Sequence, residues 1–329
     1  MRLILTLIAC VMLTMPAAAR ERDPAVAHAN AVKTGPIGYR QGWFGRGDTR
    51  LHYVEAGRGP LVILYHGFPS FWYSWFDQME VLKTRYRVVA VDGLGANLSG
   101  KPANLKPYRV AALAQQLDGL ARHVNGQRRF TLVGHDWGAA LAFAYAQAYP
   151  QRLHGVAGIS APPFNLFLDL VRGDAEQQTR SGYMQAFRAL TLADITARGV
   201  APQIFDASYH NLIASGALTT AEANLFRTVL SDPATINGGI NWYRANIPAF
   251  ADIGNGDYWP ARDVRLTLPT LLIWGNADRT FVPGFIDRFQ AAAPHAQVVR
   301  VDGVNHWATI EADPTTTKAL AAFVDRVAR

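Results

Sequence analysis

"TLVGHDWGAALAFAYA", residues 131–146, decides how the rest of the chain is read. It opens on an apolar run of the kind found in strands covered on both faces. Gly134 and Gly138 then flank a sharp turn, where two backbones can approach only if side chains are absent. The alanine-rich stretch that follows reads as a helix able to lie close against a sheet. Such a strand–turn–helix exposes the side chain at its apex on the sheet edge, and here that side chain is the carboxylate of Asp136.

Outward from this turn, continuous apolar runs recur at 60–68 "PLVILYHGF", 86–95 "YRVVAVDGLG", 153–160 "LHGVAGIS", 269–278 "PTLLIWGNAD" and 296–306 "AQVVRVDGVNH", with an alternating run at 49–57. Helical stretches at 110–125 and 137–150 separate them. This alternation predicts an α/β fold with a mostly parallel central sheet and flanking helices. From about Pro162 to Trp259 the pattern turns helical: "DAEQQTRSGYMQAFRAL", "APQIFDASYHNLIAS", "LTTAEANLFRTVLS" and "PATINGGINWYRANI". A helical block inserted into such a sheet is expected to form a lid over the strands' carboxyl ends, where ligands bind. The expected organisation is a core in two parts, 38–161 and 256–329, with the lid at 162–255 between them.

Half of the 329 residues are apolar, 17% are charged, and the net charge is +7 with basic residues scattered rather than clustered. That spread gives no nucleic-acid partner. At the amino end, "MRLILTLIACVMLTMPAAAR" combines an early Arg2, an apolar run and an A-x-A site. It reads as a signal peptide over 1–19, followed by a linker over 20–37, and predicts an exported, periplasmic or secreted protein. The apolar run is short for a membrane span, which needs about 20 residues, so no stable membrane insertion is expected after cleavage. Cys10 is the single cysteine, so the mature chain has no disulfide and no cysteine-based metal site. No metal and no cofactor are expected; the protein is read as a monomer or homodimer.

A carboxylate at the apex suits attack on alkyl carbon. On a carbonyl it would make an anhydride, whereas on a strained or activated sp3 carbon it makes an alkyl ester that water can split. That points to epoxides or alkyl halides, and away from an esterase, which would need a serine there. Splitting the ester requires a base and a group to orient it. His306 follows a late strand in "GVNHWATIEAD", and Asp278 ends "LLIWGNAD" 28 residues earlier. After His66-Gly67, the backbone N–H of Phe68 can face the reacting centre, with that of Trp137 as the second oxyanion donor.

"HGFPSFWYSW" (66–75), "GHDWGAA" (134–140), "INWYRAN" (240–246), "WGNADRTFVP" (274–283) and "GVNHW" (303–307) together resemble the α/β-hydrolase-fold epoxide hydrolases, over about residues 38–325. The resemblance implies a nucleophile Asp136, an acid Asp278 and a base His306, in the chain order of that fold. It also implies two lid tyrosines that hold the epoxide oxygen: Tyr243 in "NWYR" and Tyr183 in "SGYMQAFR". His66, Pro69, Trp242 and Trp307 are the expected substrate-binding side chains. The implied activity converts an epoxide and water to a vicinal diol. A haloalkane or haloacetate dehalogenase with the same triad is the alternative, and a non-catalytic ligand-binding protein of this fold is a more distant one. The chain departs from the resemblance at Phe76, where an arginine is usual, and at Leu94 and Ala96, where arginine and tyrosine are usual.

Overall fold

The computed structural model describes residues 38–311 and 314–328; the segments read as signal peptide (1–19) and linker (20–37) lie outside them. The described residues form an eight-stranded sheet in the order β1-β2-β4-β3-β5-β6-β7-β8. The strands are β1 Arg40–Phe44, β2 Leu51–Ala56, β3 Leu61–Tyr65, β4 Arg87–Val91, β5 Phe130–His135, β6 Leu153–Ile159, β7 Thr270–Gly275 and β8 Gln297–Val301. Strands β3 to β8 run parallel, while β2 pairs antiparallel with β4, and β1 with β2. Strands β3, β5 and β7 are buried at every residue, which is why they read as unbroken apolar runs. Strand β1 does not follow that rule. "RQGWF" is an exposed edge without an apolar run, and the sequence pattern does not reveal it.

The helices are α1 Phe76–Leu82, α2 Val110–Asn125, α3 Trp137–Ala148, α4 Phe164–Gly173, α5 Ala175–Arg180, α6 Gly182–Ala189, α7 Leu192–Ala197, α8 Val200–Ala214, α9 Thr220–Leu230, α10 Pro233–Asn246, α11 Phe285–Ala292 and α12 Pro314–Val327. Helix α2 buries Leu113, Ala114, Leu117, Leu120, Ala121 and Val124, a stripe at three- and four-residue spacing. It stops at Gly126, whose φ of +62° suits the end of a helix. Helix α3 is buried almost all round, so small alanines rather than an amphipathic stripe mark it.

Helices α4 to α10 lie between β6 and β7 in the chain. The helical stretch "DAEQQTRSGYMQAFRAL" forms two helices, α5 and α6. The helix breaks at Ser181, where the Gln177 side-chain amide takes the serine hydroxyl as an acceptor at 2.9 Å. Capping boxes at Thr191/Asp194 and Thr219/Glu222 start α7 and α9. The sheet reverses its winding at β3, with β4 on one side and β5 on the other. The loops leaving β3 and β5 therefore meet at a crevice, the usual place for a ligand in such a sheet. Among the described residues no helix is long and apolar enough to cross a membrane.

Candidate active site

Asp136 leaves β5 with φ 53° and ψ −123°, a conformation that L-residues rarely adopt. Its surroundings hold it there. Asp136 N–H donates to the Ile159 carbonyl at 3.1 Å, and the Asp136 carbonyl receives Ala139 and Ala140 N–H. The glycines have steric reasons: a Cβ at Gly134 would stand 2.0 Å from the Gly138 carbonyl oxygen, and one at Gly138 would stand 2.0 Å from that of Tyr65. Gly138→Ala is expected to destabilise the fold by about 3 kcal/mol, the upper end of overpacking costs, measured as a lower urea midpoint. An unchanged midpoint would mean that the helix and β3 are not locked at this distance.

The loop after β7 brings Asp278 in, and the loop after β8 brings His306. The two loops are stitched together by Ala277 N–H to the Val304 carbonyl at 3.0 Å and Asn276 N–H to that of Val301 at 2.9 Å. His306 Nδ1–H donates to Asp278 Oδ2 at 2.9 Å, and His306 Nε2 lies 3.4 Å from Asp136 Oδ2. Asp278 Oδ1 in turn accepts Thr280 N–H at 2.7 Å. Burial opposes charge on His306, but the carboxylates of Asp278 and Asp136 outweigh it and push the imidazole up to about 10. Burial acts to raise Asp136, yet its bond to His306 and the charge there hold it below the usual carboxylate range. The resting pair is thus imidazolium and carboxylate at neutral pH. His135, one residue before the apex, is pushed down to about 4 by burial and by the His306 charge; its neutral ring donates Nε2–H to the His306 carbonyl at 2.7 Å.

Phe68 N–H donates to Asp136 Oδ1 at 2.8 Å, and the nearby Trp137 N–H also favours the charged carboxylate. Across the cavity stand Tyr183 on α6 and Tyr243 on α10, their ring centroids 6.2 Å apart in an edge-to-face pair. Burial raises both phenols well above their usual range, and the Asp136 charge adds to this. Both stay protonated, as donors must. The cavity they share with Asp136, Asp278 and His306 measures about 290 Å³ and is also lined by Phe68, Pro69 and Trp307.

Two expected contacts need correction. His66 and Trp242 do not line this cavity; they flank a separate void of about 20 Å³. His66 donates Nδ1–H to the Gly67 carbonyl at 2.6 Å and accepts Gly93 N–H at 2.9 Å, which engages both ring nitrogens on backbone. Trp242 donates its indole N–H to the Leu94 carbonyl at 2.7 Å. Both brace the loops beneath the site. Trp242 and Tyr243 are neighbours on α10, and a turn of about 100° per residue sends one to the loops and the other to the cavity.

The sequence reading overlooked Phe187, the α8 face from Ile204 to Leu212, and Glu311, all of which line the cavity. Glu311 accepts Asn305 N–H on both oxygens at 2.9 and 3.0 Å, and burial pushes its carboxyl up to about 7. Its signal was present as the acid five residues after His306. Among the described residues no group of His, Cys, Asp and Glu is arranged to hold a metal ion.

Residues 60–313 match the family model described as an alpha/beta hydrolase fold. The chain is 28% identical over 260 residues to the AB hydrolase superfamily protein YfhM of Bacillus subtilis, covering 78% of this chain and 88% of that protein. It is 31% identical over 266 residues to mouse (Mus musculus) epoxide hydrolase 3, covering 78% of this chain and 69% of the relative. The crystal structure of a Bacillus megaterium epoxide hydrolase with an inhibitor superposes with a TM-score of 0.78 at 25% identity, covering 86% of this chain and all of that one.

Proposed function

The chain belongs to the α/β-hydrolase epoxide hydrolase family, and on that premise we propose that it hydrolyses epoxides through a covalent ester on Asp136. The observation that carries this reading is one cavity holding a carboxylate at a strained apex, an imidazole 3.4 Å behind it and a pair of phenols opposite. Asp136 Oδ2 attacks an epoxide carbon; the carbon–oxygen bond breaks, and the departing oxygen takes a proton from Tyr183 or Tyr243. A halide would need no proton, so paired phenols favour an epoxide over an alkyl halide. The positive His306 keeps Asp136 ionised for the attack.

The second half splits the ester. The imidazolium proton of His306 first returns to the phenolate left by ring opening, which makes the ring neutral. His306 then takes a proton from water, whose oxygen adds to the Asp136 carbonyl carbon, and Asp278 supports the imidazolium that results. Phe68 and Trp137 N–H groups receive the tetrahedral oxyanion. Its collapse breaks the ester carbon–oxygen bond, and the leaving alkoxide takes the acid proton of the re-formed Asp136 carboxyl to give the diol. One solvent oxygen stays in the Asp136 carboxylate beside the His306 imidazolium. A single turnover in oxygen-18 water tests this: the first diol carries ordinary oxygen and the label enters the peptide spanning 129–150. A first diol carrying the heavy isotope would refute the ester.

Loss of one phenol should slow ring opening and spare ester hydrolysis. Tyr243→Phe is expected to lower the single-turnover alkylation rate by about 10²-fold, the usual effect of removing one such donor, with Tyr183 left to supply the proton. An alkylation rate within twofold of the parent would remove Tyr243 from the mechanism.

A further inference from the structure

Gln177 is fully buried on α5, six residues before Tyr183, and it is bonded in three directions. Its Nε2 donates to the Thr280 carbonyl at 3.0 Å and to the Ser181 hydroxyl at 2.9 Å, and its Oε1 accepts Val282 N–H at 2.9 Å. Arg180 adds two bonds to the same loop, Nη1–H to the carbonyls of Phe281 at 2.7 Å and Arg279 at 3.2 Å. The loop so gripped is the one that follows the acid. Thr280, which gives its carbonyl to Gln177, gives its N–H to Asp278 Oδ1 at 2.7 Å, and the other oxygen of Asp278 takes His306 Nδ1–H.

A polar chain therefore runs from Ser181, at the start of the helix bearing Tyr183, through the Gln177 amide and the backbone of Thr280 to the acid and the base. We propose that Gln177 is a positioning residue that sets the Tyr183 segment and the Asp278–His306 pair in one frame, so that ring opening and ester hydrolysis share a single alignment. This rests on the ester mechanism above. The geometry favours a positioning role over general scaffolding because the two Nε2 bonds reach Ser181, two residues before Tyr183, and Thr280, whose N–H holds Asp278. A misplacement of about 1 Å at either end is enough to cost roughly 10² in rate.

The test uses the full-length protein, single-turnover kinetics and an epoxide that the parent hydrolyses, with adduct mass measured at each time point. The burst amplitude counts active sites, and the two rates report each site's alignment. Gln177→Met keeps the length and removes all three bonds; it is expected to slow both alkylation and hydrolysis by about 10- to 100-fold per active site. Ser181→Ala removes only the arm toward Tyr183, and Ser181 makes no side-chain cap of its own helix. It is expected to slow alkylation several-fold and leave hydrolysis unchanged, and it provides the decision if the methionine variant does not fold. Reduced burst amplitude with parental rates in Gln177→Met, or equal effects of Ser181→Ala on both steps, would overturn the proposal. Absence of any adduct in the parent protein would instead count against the ester mechanism itself.

Discussion

Asp136→Ala is expected to abolish turnover of any epoxide the parent accepts, with a fall of roughly 10⁴–10⁶ in kcat, the range seen when a nucleophile is removed from a preorganised site. The loss should fall on the chemical step, because the phenols, the backbone donors and the cavity walls remain. Protein quenched during reaction should carry the substrate mass on the 129–150 peptide in the parent and none in the variant. The effect is larger than for any neighbour since nothing else in the cavity can replace the lost oxygen. Asp278 is buried behind His306 with its two oxygens committed to His306 and Thr280, and Glu311 is held by Asn305 N–H. A variant keeping activity within tenfold of the parent would mean that water attacks the epoxide directly.

Why these positions were legible in the sequence, and others were not, has a physical basis. Asp136 and Asp278 each follow a fully buried strand, while His306 follows the edge strand β8, of which only Val301 is buried. In all three cases an apolar run ending in a polar residue is a local signal. The glycines at 134 and 138 are local too, since close backbone approach excludes any side chain there. Gln177 has no such signal. In "AEQQTR" two adjacent glutamines are chemically alike, and only the packing of α5 against the 279–282 loop buries the first and leaves the second half-exposed. Trp242 shows the converse: the motif was legible, but which way each aromatic points depends on helix phase against neighbours distant in the chain. Leu94, one of the departures from the family resemblance, is fully buried and offers its carbonyl to Trp242. The loop is thus braced by an apolar side chain and a backbone bond, with no arginine at that position.

His306→Gln is expected to slow ring opening less than ester hydrolysis and so strand the enzyme as an ester, one adduct per chain, with turnover lower by roughly 10²–10⁴, the contribution of a positioned general base. The pH behaviour of the parent provides a sharper measure. Burial opposes the charge on His306, and the two carboxylates that overcome it hold the free enzyme's imidazole at about 10, too basic to be the neutral base that hydrolysis needs near pH 7. Esterification of Asp136 removes one of those carboxylates. The base is then supported by Asp278 alone against unchanged burial, and its pKa falls at the moment neutrality is required. Alkylation should therefore be flat through neutral pH and decline only in acid, as Asp136 is protonated below its usual range. Hydrolysis should rise with pH to a plateau whose midpoint lies well below 10. A hydrolysis midpoint near 10, equal to that of the free enzyme, would show that Asp136 does not control the base, and steady turnover by His306→Gln would show that the base is another residue.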